Sequence, residues 1–136
     1  LREGIAPNKI FFVGNIMIDS YIMSRSQIAN SQILNQLRFK KKNFCLVTIH
    51  RPVNVDGKQN LERVVDNLLA ISKLIRVVFP IHPRTRKMLK RFKLDKRFIS
   101  KNGMAIILTD PVGYIDFQSL MQNCRFVITD SGGIQE

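Results

Sequence analysis

The chain has 136 residues, 45% of them hydrophobic, with 22 lysines and arginines against 10 acidic residues and a formal net charge of +12. This size and apolar share fit one domain with its own core, and no apolar run approaches the roughly 18 residues of a membrane helix. Cys45 and Cys124 have no cysteine or histidine at ligand spacing, so we expect two free thiols, no metal site and a cytoplasmic location.

The positive charge suggests a nucleic-acid-binding module as one interpretation. Nine basic residues lie between residues 84 and 101, and four more lie between residues 38 and 42. Only Phe39, Phe92 and Phe98 interleave with them, without the spacing of an RNA-stacking surface. We therefore interpret these residues as a solvated basic face and expect no nucleic-acid partner.

From the amino end, residues 9–13 form an apolar run that predicts a strand, ended by Gly14. A looser apolar pattern predicts a helix over residues 16–29, and a second short helix is predicted over 31–38. The next apolar run predicts a buried strand over residues 43–49.

Residues 51–59 have the proline, asparagine, aspartate and glycine content of a loop. A helix is predicted from Asn60, where apolar residues recur at helical spacing along one face. A strand over residues 76–81 follows, and Pro83 suits the first turn of a basic helix that reaches Phe92.

The carboxyl-terminal part repeats the alternation, with a strand over 104–108, a helix over 113–123 and a strand over 125–129. Continuous apolar strands separated by helices are typical of a parallel sheet covered on both faces. We predict an α/β fold with a doubly wound, Rossmann-like parallel sheet. We expect residues 1–136 to form a single domain. Residues 1–38 are its connecting segment, and residues 39–136 are its core, which we expect to be incomplete at the C-terminus.

The residues with distinctive chemistry directly follow the predicted strands. They are Asn15, His50-Arg51, His82-Pro83-Arg84-Thr85, Asp110-Pro111 and Asp130-Ser131-Gly132-Gly133. Because the carboxyl ends of parallel strands meet at one edge, where such sheets bind ligands, we predict a site there.

The terminal turn Ser131-Gly132-Gly133 predicts a phosphate ligand. Glycines let a phosphate approach the backbone N–H groups at a helix start, and the serine adds a hydroxyl. Arg51 and Arg84 can neutralise the phosphate charge, and His50 can give a proton to a departing oxygen. From this motif alone, a tight turn that binds no ligand is as good an interpretation as a phosphate site. The sequence has neither a P-loop nor a dinucleotide-binding fingerprint, which counts against an ATPase or a dehydrogenase.

Five motifs together resemble the non-hydrolysing UDP-N-acetylglucosamine 2-epimerase family. They are Gly14-Asn15 with Ile18-Asp19, Val47-Thr48-Ile49-His50-Arg51-Pro52 with Asn54, Phe79-Pro80-Ile81-His82-Pro83-Arg84-Thr85, Asp110-Pro111 with Tyr114 and Phe117, and Thr129-Asp130-Ser131-Gly132-Gly133-Ile134-Gln135-Glu136. The resemblance implies the two-domain glycosyltransferase-B architecture, with this chain as most of the nucleotide-binding C-terminal domain and residues 39–136 as its UDP-binding core.

Such enzymes interconvert UDP-N-acetylglucosamine and UDP-N-acetylmannosamine by eliminating UDP and adding it back after exchange of the C2 proton. The resemblance implies that His50 and Arg51 are the catalytic residues at the leaving diphosphate. The residues that it implies for binding UDP are Ser131, Gly132, Gly133, His82, Arg84, Phe117 and Glu136. It also implies a homodimer that needs no cofactor.

Two departures from the family pattern bear on activity. Val53 stands where the family usually has glutamate, and the second acidic residue that follows Glu136 in the family is absent. The resemblance places the carboxylates that move the C2 proton in the N-terminal domain. We therefore interpret the chain as a piece of a longer protein, and we expect this piece to bind UDP weakly and not to epimerise.

Four alternatives remain open from the sequence. A UDP-sugar glycosyltransferase of the same fold would use the same nucleotide edge. A hydrolysing 2-epimerase would release free N-acetylmannosamine and UDP. A nucleic-acid-binding module and a purely structural fragment belong to different functional classes.

Overall fold

The computed structural model describes residues 3–98 and 106–135, and in this part of the chain four parallel strands form one sheet. The strands are β1 (Phe44–Thr48), β2 (Arg76–Pro80), β3 (Ile106–Thr109) and β4 (Phe126–Thr129). Their spatial order is β3-β2-β1-β4, so the chain winds from β1 outward to β3 and then crosses to the other side of β1. In register, Leu46 lies opposite both Val78 and Val127. The predicted doubly wound α/β fold is confirmed.

Seven helices connect or flank the described strands. They are α1 (Ile16–Ala29), α2 (Ile33–Gln36), α3 (Pro52–Val55), α4 (Lys58–Ser72), α5 (Pro83–Arg91), α6 (Tyr114–Asn123) and α7 (Gly132–Gln135), with 3-10 turns at Pro7–Lys9 and Asp95–Phe98. The predicted helices over 16–29, 83–92 and 113–123 are confirmed with small shifts at their ends, and the one predicted over 31–38 is confirmed as the shorter α2.

The sheet separates two apolar clusters because successive side chains of a strand point to opposite faces. Cys45 and Val47 of β1 pack with residues of α3, α4 and α5 on one face. Phe44 and Leu46 pack with residues of α2 and α6 on the other face. All four side chains are fully buried, which accounts for the continuous apolar run of β1.

The two cysteines are free and buried, as predicted. Cys45 lies in one apolar cluster and Cys124 in the other. Burial, and to a lesser extent the neighbouring Cys124, raises the pKa of the Cys45 thiol to about 11. Among the described residues, no helix combines the length and the apolarity needed to span a membrane.

The predicted strand over residues 9–13 is wrong. The structure has a 3-10 turn at Pro7–Lys9, residues 10–13 belong to no helix or strand, and the side chains of Phe11 and Phe12 are exposed. An apolar run becomes a strand only where neighbouring backbone groups can pair with it. The described sheet offers this segment no such pairing.

The predicted loop over residues 51–59 is also wrong in part. Pro52 begins the short helix α3, and α4 begins at Lys58, before the predicted start at Asn60. Proline has a fixed φ that suits the first helical position, so here it begins a helix instead of marking a loop.

The remaining boundaries are close to the predictions. The predicted strand over 104–108 appears as β3, although residues 104 and 105 lie outside the described part of the chain. Pro80 pairs with Thr109 at the last register position between β2 and β3, and the backbone N–H of the next residue, Ile81, still donates to the carbonyl of Thr109 at 3.1 Å. The division of the domain at residue 38 stays a prediction.

Candidate functional site

The strand order reverses at β1 and β4, whose carboxyl ends lie side by side at one edge of the sheet. The connection from β1 leads to β2 on one side, while β4 lies on the other side of β1. Connections that leave neighbouring strands in opposite directions create the crevice in which open α/β sheets bind ligands. His50 and Arg51 follow β1 at this point, and Ser131 and Gly132 follow β4.

Asp130 joins the two sides of this crevice. Its carboxylate accepts hydrogen bonds from the backbone N–H of His50 at 3.0 Å, the backbone N–H of Arg51 at 2.8 Å and the side-chain amide of Asn54 at 2.9 Å. Nδ1 of His50 lies 3.3 Å from the other carboxylate oxygen, Oδ1. The loop after β1 is thereby attached to the end of β4.

The surroundings of Asp130 favour its charged form. Burial alone would raise the pKa of this carboxyl group, since its side chain is only 10% exposed. The hydrogen bonds from Asn54, Arg51 and His50, together with the electrostatic interaction with the nearby His50 ring, outweigh burial and lower the pKa. Asp130 is therefore a carboxylate at neutral pH.

The two histidines of the chain lie side by side, as their positions after neighbouring strands predicted. Their ring centroids are 5.4 Å apart, with 34° between the ring planes. Nδ1 of His82 accepts a hydrogen bond from the backbone N–H of Arg84 at 3.2 Å and so caps α5. Buried Thr85 donates to the backbone carbonyl of Ile49 at 2.7 Å, which fixes the start of α5 against the end of β1.

Arg51 lies alongside the turn after β4. A Cβ atom added at Gly132 would be 3.8 Å from Nη2 of Arg51, so this guanidinium borders the open backbone of the turn. The backbone N–H of Ser131 donates to the hydroxyl of Thr129 at 2.9 Å, which holds the turn against β4. A Cβ at Gly133 would be 3.3 Å from Cε of Met17, so this glycine lets α1 approach the turn closely.

The other predicted UDP-binding residues are paired with another side chain, packed in an apolar cluster or outside the described residues. Arg84 forms a bidentate pair with Asp56, with distances of 2.9 and 2.5 Å. These hydrogen bonds lower the pKa of Asp56 and raise that of Arg84. Phe117 packs against the apolar cluster between α2, α6 and the sheet, and Glu136 lies outside the described residues.

Sequence reasoning did not assign a role to Asp130 or Asn54. Both stand inside motifs that were recognised, but their contact joins residues 76 positions apart and has no local signal. Val53, at the position of the family's glutamate, has a side chain that is 67% exposed. In the described residues no group of three or more histidine, cysteine, aspartate or glutamate side chains is arranged to hold a metal ion.

Comparison with known proteins relates the whole chain to one family. A family model described as UDP-N-acetylglucosamine 2-epimerase matches residues 1–136. The UDP-N-acetylglucosamine 2-epimerase of Methanocaldococcus jannaschii is 39% identical over 142 residues, covering 100% of this chain and 38% of that protein. The corresponding protein of Methanococcus maripaludis is 38% identical, again over 100% of this chain and 38% of its own length. The chain thus spans little more than a third of these relatives.

The fold is similar to solved structures of the same description. A crystal structure of the Methanocaldococcus jannaschii UDP-GlcNAc 2-epimerase in complex with UDP-GlcNAc and UDP aligns with a TM-score of 0.82 at 36% sequence identity. The alignment covers 98% of this chain and 37% of that one.

Proposed function

Because this chain belongs to the UDP-N-acetylglucosamine 2-epimerase family, we propose that it is the UDP-binding part of an enzyme that interconverts UDP-N-acetylglucosamine and UDP-N-acetylmannosamine. One observation carries the proposal. Where the strand order reverses, Arg51 after β1 borders Gly132 of the turn after β4, and His50 contacts Asp130 at the start of that turn.

The proposed ligand group at this edge is the diphosphate of UDP. The guanidinium of Arg51 supplies positive charge in the planar geometry that phosphate oxygens accept. The glycines leave the backbone N–H groups of the turn open to close approach, and Ser131 adds a hydroxyl. Within the described residues, the Arg51 guanidinium has no carboxylate partner that would compete with the phosphate.

His50 is the proposed acid at the leaving group. When the bond between C1 of the sugar and the diphosphate oxygen breaks, the protonated imidazole can give its proton to that oxygen. Loss of the C2 proton to a base completes the elimination and leaves a 2-acetamidoglucal. UDP then adds back to C1 and a proton is delivered to the opposite face of C2, which inverts that centre. We assign the groups that move the C2 proton to parts of the parent protein outside this chain.

We propose smaller roles in UDP binding for the remaining predicted residues. His82 is near enough to His50 to reach the same ligand, whereas Arg84 must leave Asp56 before it can bind a phosphate. Roles for Phe117 and Glu136 in binding the nucleoside stay predictions. We also propose a cytoplasmic homodimer of glycosyltransferase-B architecture that neither binds nucleic acid nor uses a cofactor.

Product analysis of the full-length protein that contains this chain tests the proposal. With UDP-N-acetylglucosamine in D2O, NMR should show UDP-N-acetylmannosamine and deuterium at C2. Free N-acetylmannosamine with UDP would identify a hydrolysing enzyme instead, and transfer of the sugar without C2 exchange would identify a glycosyltransferase. The isolated chain should show no turnover, because the proposed C2 base is outside it.

A further inference from the structure

We propose that Asp130 is a positioning residue, which holds His50 and Arg51 in place and determines which nitrogen of His50 reaches the ligand. The identity of the ligand rests on the function proposed above. The contacts of Asp130 and the protonation of His50 can be tested without any ligand.

The hydrogen bonds to Asp130 define the position of the loop. Oδ2 accepts from two successive backbone N–H groups, those of His50 and Arg51, and from the amide of Asn54. The Asp130 side chain is 10% exposed, so water competes little for these bonds. A single carboxylate from β4 therefore fixes the two residues that begin the loop after β1.

The same carboxylate selects the proton position on His50. Oδ1 lies 3.3 Å from Nδ1, and an ionised carboxylate oxygen can accept a hydrogen bond from an N–H at this nitrogen but cannot donate one. The Nδ1-protonated form is therefore favoured, which leaves Nε2 at the far end of a ring that is 39% exposed. Nε2 is then the nitrogen that gives or takes a proton at the ligand.

His82 provides an internal contrast. Its Nδ1 accepts the backbone N–H of Arg84, so the neutral ring carries its proton on Nε2. Two histidines with centroids 5.4 Å apart are thus assigned opposite tautomers by their partners. This contrast gives the proposal a spectroscopic signature that general destabilisation would not reproduce.

Asp130 positions groups and does not itself bind the diphosphate. A carboxylate facing phosphate oxygens would repel them, but its oxygens here face N–H donors. Its charge is thus directed to the loop, and through the loop it orients His50 and Arg51 toward the anion.

Asp130→Asn is the primary test. It replaces one acceptor oxygen by an NH2 group, which either faces the N–H donors of the loop and breaks their hydrogen bonds or faces Nδ1 of His50 and donates to it, and it removes the charge that strengthens the remaining bonds. We expect the Kd of the chain for UDP, measured by calorimetry, to rise about tenfold or more. In 15N spectra of the ligand-free chain, His50 should lose its Nδ1-protonated pattern while His82 keeps its Nε2-protonated one.

Asp66→Asn is the matched control. Asp66 lies within α4, and its exposed carboxylate pairs with Arg97 at 2.6 Å. We expect this variant to change the Kd for UDP by less than about twofold and to leave both histidine patterns intact.

Asn54→Ala keeps the test decisive if Asp130→Asn does not fold. It removes one donor to Asp130 and leaves the backbone contacts in place, so we expect about a threefold rise in Kd and a smaller change in the His50 pattern. Wild-type His50 spectra together with wild-type affinity in the folded variants would overturn the proposal. A wild-type chain that shows the His50 pattern but binds no UDP would instead contradict the proposed function alone.

Discussion

The two loops that carry histidines follow neighbouring strands but are held in different ways. His50 and Arg51 are fixed by a carboxylate of β4, about 80 positions further along the chain. His82 is held within its own loop by a helix cap, and Arg84 is held by an exposed pair with Asp56, 28 positions away. The loop after β1 lies where the strand order reverses, between β1 and β4, and the loop after β2 lies one strand away from that point.

This difference indicates which of the two loops can bind an anion. Arg51 has its guanidinium next to Gly132 and is available to an anion, whereas Arg84 already has a carboxylate partner. We therefore expect the loop after β1 to dominate chemistry and affinity, and the loop after β2 to contribute mainly to the position of α5.

Replacement of each histidine tests this comparison most strongly. His50→Gln in the full-length protein should lower kcat by about 10²- to 10⁴-fold, the usual loss of a general acid, and His82→Gln should lower it much less. Epimerisation can be followed by NMR, with circular dichroism as the control for folding. Equal losses in the two variants would mean that the loops share the chemistry.

Replacement of each arginine compares the loops in binding. Arg51→Ala should raise the Kd of the chain for UDP about 10- to 100-fold, the range for a lost hydrogen bond to a charged group. Arg84→Ala should raise it by about threefold or less, since the exposed pair with Asp56 is screened by solvent. A larger effect at Arg84 would show that it exchanges Asp56 for the phosphate.

Thr85→Val tests how the second loop is attached to the first strand. The variant leaves the carbonyl of Ile49 without its buried donor, so we expect a loss of about 1–3 kcal/mol in the free energy of unfolding. Thr109→Val is the control, because Thr109 donates to an exposed carbonyl and should cost less. Urea unfolding measures both, and equal costs would contradict the structural role of Thr85.

Acid titration gives the smallest expected effect. The native structure lowers the pKa of Asp130 below its ordinary value of 3.8, so its contribution to stability is present above that pH and is lost as the pH falls further. The difference in unfolding free energy between the wild type and Asp130→Asn should therefore shrink as the pH falls below 3.8. A difference that stays the same or grows below this pH would contradict the assigned charge.

The sequence predicts the parts of this molecule that depend on local pattern. The apolar runs of β1 and β2 are buried strands and that of β4 is a partly buried strand, and the residues that follow these three strands lie at one edge of the sheet. The run over residues 9–13 has the same pattern but no pairing in the described sheet, because pairing depends on neighbours that the pattern does not contain.

The contacts within the site were harder to predict. Asp130 and Asn54 meet across 76 positions, and the Asp56 partner of Arg84 lies 28 positions away from it. Only folding brings these groups together, so the sequence indicated which residues were chemically capable but not which were already paired.

Chemical-shift mapping of UDP binding tests the central claim most directly. Titration of UDP into the chain should shift the amide signals of His50, Arg51 and residues 131–133, with smaller changes along α5. Shifts that follow the basic residues of α5 and of residues 38–42, and that disappear as salt is added, would show nonspecific anion binding and contradict the account.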